Sequence, residues 1–189
     1  MRLQIKISRV KVIFMTCMCV MFLIGTSLAQ NMDSGLISQS TMSQPCRSQE
    51  AVIILERKTD YFGVAPAYKL TINADGSVVF EGKNNVKTEG INRSSISKQD
   101  LQHLLKEFER NNYFSLRDKY ESRNDGCPFI LTDASYVHMS VQLGSRKKSI
   151  LHYQGCVEET SNGFATFPQE LFYLENLIDK TVNSRQWIK

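Results

Sequence analysis

The chain has 189 residues, 42% hydrophobic and 10% aromatic, with 10 Gly and 4 Pro; this composition excludes disordered, collagen-like and low-complexity classes and fits one globular domain. Its formal charge of +4 belongs to the start of the chain, because Arg2, Lys6, Arg9 and Lys11 precede every acid, and taking those four from the 23 basic residues leaves 19 against 19 acidic ones. A formally neutral body removes the electrostatic basis for binding nucleic acid or an anionic membrane.

Residues 1–29 combine that basic stretch with an apolar run at 12–25 (VIFMTCMCVMFLIG) and then Ser27-Leu28-Ala29 before Gln30. This is the layout of a secretory signal peptide, and the run is shorter than the roughly 20 residues of a spanning helix. The sequence therefore predicts a signal peptide over 1–29 and an exported, soluble, periplasmic or secreted chain from Gln30, with no stable membrane insertion after cleavage. An uncleaved anchor is the alternative. A lipoprotein signal is not indicated, since Cys17 and Cys19 lie inside the run and Cys46 lies far beyond it.

Residues 30–50 (QNMDSGLISQSTMSQPCRSQE) have no apolar period and read as a flexible leader. Cleavage leaves Cys46, Cys127 and Cys156 in a compartment where disulfides persist. With Cys46 in the leader, Cys127 and Cys156 are the expected pair; the bond would close a loop of about 30 residues and stabilise by roughly 3–4 kcal/mol. Three reduced thiols, or more rarely a metal site, are the alternatives.

The folded part is expected at 51–189. Ala51 to Arg57 (AVIILER) reads as a strand. In 67–82 (AYKLTINADGSVVFEG), Asn73-Ala74-Asp75-Gly76 has the chemistry of a type I turn followed by a left-handed glycine. That turn sets Ile72 across from Val78 and Leu70 across from Phe80, with Tyr68 on the same face. Ser97 suits an N-cap with Asp100 three residues on, and Leu101, Leu104, Leu105 and Phe108 mark one face of a helix ending near Asn112. Tyr113, Phe114 and Leu116 are expected to pack beyond it, and 117–132 reads as a polar loop.

In the next hairpin Val137, Met139, Val141 and Leu143 alternate with Tyr136, His138, Ser140 and Gln142, and 149–154 returns. A two-residue loop at Gly144-Ser145 would pair His138 with Leu151, mixing polar and apolar faces. A three-residue loop pairs Val137 with Tyr153, Met139 with Leu151 and His138 with His152, and is the predicted register. Pro168 then opens a helix with Leu171, Leu174, Ile178 and Val182 on its apolar face, and Trp187 covers the end of the core. The expected fold is α+β: an antiparallel sheet of about five strands, in two hairpins plus an N-terminal strand, with two helices packed on one face.

Several segments in this order carry a resemblance: Gly63, Pro66 and Tyr68 before the first hairpin, Asp75-Gly76, Gly82, Asn112-Tyr113-Phe114-Ser115-Leu116, Thr132-Asp133, His152-Tyr153-Gln154-Gly155-Cys156, and Trp187. Over about residues 50–189 the chain resembles the small exported bacterial family described as domain of unknown function 6438. The resemblance implies fold and export but no activity. Members often carry Cys-x-Gly-x-Cys-Pro-x-Tyr where this chain has YFGVAPAY, so Tyr61 and Ala65 stand in the two cysteine places and no role of that cysteine pair transfers.

Candidate chemistry is sparse. His103 reads as a partly exposed helix residue. The predicted register makes His138 and His152 neighbours on the exposed face, where a third ligand such as Asp133 would complete a metal site; a solvent-facing pair is the plainer reading. A Cys–His nucleophile on Cys127 or Cys156 needs a free thiolate, and a triad of Ser135 or Ser140 with His138 and Asp133 is opposed by strand alternation. Asp118, Glu121 and Asp125 lack a calcium-loop pattern, and Arg146-Lys147-Lys148 reads as a solvated turn. Phosphate-loop and dinucleotide fingerprints are absent. No cofactor is implied.

Tyr61, Phe62, Gly63 and Pro66 crowd one segment, and aromatic side chains on loops are enriched at interaction surfaces. The expectation is thus a non-catalytic binding or interaction domain of the cell envelope, taking a protein or cell-wall partner and no nucleic acid, through Tyr61, Phe62, Gly63 and Pro66 with the His138/His152 face. The alternative is a metal-assisted hydrolase using His138, His152 and Asp133. A purely structural envelope protein is a third possibility.

Overall fold

The structure, a computed structural model, describes residues 51–189; the expected signal peptide, the expected leader and Cys46 lie outside the described residues. Seven strands form the main sheet in the order β4-β3-β2-β1-β7-β8-β5. These are β1 (Ala51–Arg57), β2 (Ala67–Asn73), β3 (Ser77–Asn84), β4 (Gly90–Ser95), β5 (Lys119–Tyr120), β7 (Tyr136–Leu143) and β8 (Arg146–Tyr153). A second sheet, ordered β10-β9-β6, comprises β6 (Phe129–Ile130), β9 (Cys156–Thr160) and β10 (Gly163–Thr166). The helices are α1 (Lys98–Arg110), α2 (Gln169–Thr181) and the single turn α3 (Arg185–Ile188).

The expected α+β class holds, with sheets that are antiparallel except for the β5–β8 pairing. The N-terminal strand lies in the middle of the main sheet, pairing β2 on one side and β7 on the other. Its alternation places Ala51, Ile53 and Leu55 in the core beneath the helices. The first hairpin has the predicted register, Ile72 opposite Val78 and Leu70 opposite Phe80. Gly76 sits at φ 83°, the left-handed conformation that the turn demands and that glycine adopts without steric cost. Ser97 caps α1 by accepting from the Asp100 N–H at 3.0 Å, and Trp187 stacks on Phe80 with ring centroids 4.8 Å apart.

Two expectations are corrected. The sheets hold ten strands rather than about five. The additions include β4, a polar edge strand on the first hairpin, and the two-residue β5 and β6, which lie within the expected 117–132 loop. The second hairpin takes the two-residue loop at Gly144-Ser145, with Val137 opposite His152, His138 opposite Leu151 and Met139 opposite Ile150. The core face of β8 is therefore Ile150 and His152. The rejected register is tolerated because the imidazole finds polar partners inside the molecule, described below.

Cys127 and Cys156, both buried, form the expected disulfide with Cα atoms 5.3 Å apart. The bond spans a sequence separation of 29 and fastens the 117–135 excursion to the start of β9. Cys127→Ser is expected to lower unfolding stability by about 3–4 kcal/mol, read as a lower urea midpoint; an unchanged midpoint would show that the excursion is held by packing alone.

Candidate functional site

Between β1 and β2 the 58–66 loop leaves the sheet and presents Tyr61, Phe62 and Val64 at 84%, 69% and 70% exposure. Its backbone is nonetheless tied down. Asp60 accepts from the Val64 N–H through its carboxylate at 2.9 Å and from the Gly63 N–H through its carbonyl at 3.1 Å. The Asn85 side-chain amide donates to the Gly63 carbonyl, and Gly63 holds φ 71°. Tyr61 and Phe62 pack edge to face at 5.5 Å. The loop thus holds apolar surface in water on an ordered frame, while Tyr68, from the same aromatic segment, is buried against Phe80.

On the Pro66 side of the loop lies a cleft of about 780 Å³. Arg57 ends β1 on the face turned toward the helices, directly opposite Tyr68 on β2. Asp179 of α2 meets both: Arg57 Nε and Nη2 lie 2.8 Å from its Oδ2, and the Tyr68 hydroxyl donates to its Oδ1 at 2.7 Å. Burial, then the Asp179 carboxylate, pushes the Tyr68 phenol well up. Burial works against the Arg57 charge, but Asp179 and its neighbours hold the guanidinium pKa above its ordinary value. Lys58, Lys180 and Arg185 complete the rim. On the other side, a cleft of about 450 Å³ is lined by Thr59, Asp60, Tyr61, Asp133, Tyr136 and Tyr153 among others, with no basic side chain. Tyr136 and Tyr153 pack there at 4.8 Å.

The sequence profile of domain of unknown function 6438 (DUF6438) matches residues 52–182. The chain belongs to this family. No curated protein matches it. In this DUF6438 domain most residues of the resemblance serve the fold: Asp75 caps its turn by accepting from the Ser77 N–H, and an added Cβ at Gly155 would run into the Leu131 carbonyl. Tyr61 and Ala65 flank Phe62, Gly63 and Val64 at the exposed tip of the loop.

The histidines do not meet. His138 and His152 are not cross-strand partners and lie on opposite faces of the sheet, so the expected His138/His152 surface is corrected. His152 is buried in the DUF6438 core, with Nδ1 2.7 Å from Glu175 Oε1 and Nε2 3.0 Å from the Phe167 carbonyl; Gln154 donates to Glu175 Oε2 at 3.0 Å. Both ring nitrogens are engaged inside the protein, Nδ1 lying also 3.1 Å from the Gln154 side-chain nitrogen, and neither is free to ligate a metal. Asp133 lies on the far cleft at φ 65°. Among the described residues no three His, Cys, Asp or Glu side chains gather as a metal site.

His138 instead lies 2.7 Å from the Ser149 hydroxyl, and its cross-strand neighbour Glu56 could complete a triad only by turning to it. Glu56 is engaged by Lys83 at 2.5 Å. The backbone N–H groups of β7 around His138 belong to ladders on both sides.

The sequence singles out the loop but not Arg57, Lys58, Asp179, Lys180 or Arg185, which line the cleft beside it. The available signals were small: Arg57 sits at a core-facing position of β1, and Asp179 lies four residues after Glu175 on the apolar side of α2. Breaking the buried pair is expected to be costly, with His152→Leu losing about 3–5 kcal/mol because Glu175 is left without its partner. The double variant His152→Leu with Glu175→Leu should lose less. A double variant at least as unstable as the single one in urea unfolding would overturn this account.

Proposed function

We propose that this DUF6438 domain is an exported, non-catalytic binding domain of the cell envelope whose contact region is the 58–66 loop and the clefts beside it. The carrying observation is the fixed display of Tyr61, Phe62 and Val64 in water on a loop whose backbone is hydrogen-bonded to itself and to Asn85. Apolar side chains held exposed in this way contribute nothing to the core, and an ordered loop loses little conformational entropy on meeting a partner. Export is supported by the signal layout of residues 1–29 and by the Cys127–Cys156 bond, of a kind that persists in oxidising compartments.

The test is co-sedimentation of the exported chain with its host's cell-wall and envelope fractions, comparing wild type with Tyr61→Ala/Phe62→Ala. The variant should lose binding by about tenfold or more, the scale of removing aromatic anchors. Its thermal midpoint should stay near wild type because both side chains are exposed. Equal binding by wild type and variant would place the contact region elsewhere.

A further inference from the structure

The loop reading leaves open what chemistry the partner presents, and the cleft on the Pro66 side supplies an answer. Its lining carries the cationic side chains of Arg57, Lys58, Lys180 and Arg185, even with Lys189 set aside, against the single carboxylate of Asp179. That carboxylate is fully engaged, one oxygen by Arg57 and the other by the Tyr68 hydroxyl. Lys58, Lys180 and Arg185 are left over. None of the three joins an ion pair among the described residues, whereas Lys83, Arg110, Lys119, Arg146 and Lys148 each have an acidic partner.

The three unpaired cations come from separate elements. Lys58 follows the last residue of β1, Lys180 lies on the last turn of α2, and Arg185 opens α3. Asn183 at φ 53° turns the chain between α2 and α3. On α3, residues two apart project about 200° from one another, so that Trp187 enters the core while Arg185 lines the cleft. In a body that is neutral overall, like charges gathered around one concavity repel one another in the empty cleft. They focus a positive field into it, and an anion would relieve the repulsion. The volume of about 780 Å³ suits a small molecule or the end of a larger one, and Ser135 adds a neutral donor to the lining.

We propose that this cleft binds an oxyanion, the phosphate or carboxylate group of the partner that meets the 58–66 loop, between Lys58, Lys180 and Arg185 and above the Arg57–Asp179–Tyr68 cluster. The site deepens the binding reading and rests on it for the identity of the contact face. Asp179 is a positioning residue: it holds Arg57 and Tyr68 in place and does not touch the anion.

Amide NMR spectra of the exported chain, titrated with inorganic phosphate and separately with succinate, test the site. Saturable shifts should appear at Lys58, Ser135, Lys180 and Arg185 and should weaken as salt is raised to about 0.15 M, where the screening length falls to roughly 8 Å. Lys180→Glu/Arg185→Glu, changed at two exposed positions, should weaken binding by about tenfold or more with the rest of the spectrum retained. The anion that binds more tightly assigns the group as phosphate or carboxylate. Absence of saturable shifts at these amides with both anions, or shifts unaltered by the charge reversal, would overturn the proposal. Loss of envelope binding in Tyr61→Ala/Phe62→Ala without any anion binding would refute the anion site and keep the loop. Anion binding with loop variants of full envelope affinity would refute the loop and keep the site.

Discussion

Two carboxylates one turn apart on α2 set how the helix lies on the sheet. Glu175 is buried against His152 of β8, and Asp179 reaches Arg57 of β1 and Tyr68 of β2. Residues four apart share a helix face, so both acids point where Leu171, Leu174 and Ile178 point, toward the core. A carboxylate in that position is tolerated only with its partners in place. Sliding α2 by one turn, about 5.4 Å, would strand one of the two acids: in one direction Leu171 replaces Glu175 at His152 and Asp179 loses Arg57 and Tyr68, and in the other Glu175 loses His152. Apolar packing alone would distinguish such placements weakly. The polar pairs therefore select one, and the cleft beside Arg57 has its shape because α2 ends where Asp179 fixes it.

The same pairs explain which parts of the fold could be read from sequence. The first hairpin was legible because turn chemistry and apolar alternation are local and agree. Helix α1 was legible from Ser97, Asp100 and the spacing of its leucines. The second hairpin departs from its expected register at His152, which local alternation places outward as a polar residue and the structure places in the core. Its inward placement depends on Glu175, 23 residues later in the chain, and no local pattern reports such a partner. Strands β5 and β6 have two residues each and exist only through their pairing with β8 and β9, so periodicity could not find them. Strand β4 (GINRSS) is an exposed edge with no buried face to generate alternation.

The site divides in the same way. Tyr61, Phe62, Gly63 and Pro66 stood out because they are adjacent in sequence. Arg57, Lys58, Lys180 and Arg185 are each ordinary in context and become a group only when β1, α2 and α3 converge. The disulfide was legible by elimination among cysteines, whereas the burial of its two ends beside the core was not.

Net charge is a weak guide to such a surface. A body with 19 basic and 19 acidic residues after its first 29 positions has no global field to attract a polyanion, and the expectation of no nucleic-acid partner rests on that sum. Within a screening length of about 8 Å, however, the surface beside the loop is sharply divided. Unpaired Lys58, Lys180 and Arg185 lie on the Pro66 side, and Asp60 and Asp133 lie on the Tyr61 side. A field of that range does not steer partners from a distance. On the proposed reading it would select among those already touching the apolar tip, favouring one that carries an anionic group next to an apolar one and disfavouring the reverse arrangement. The aromatic tip would then supply contact area, and the divided charge beside it orientation.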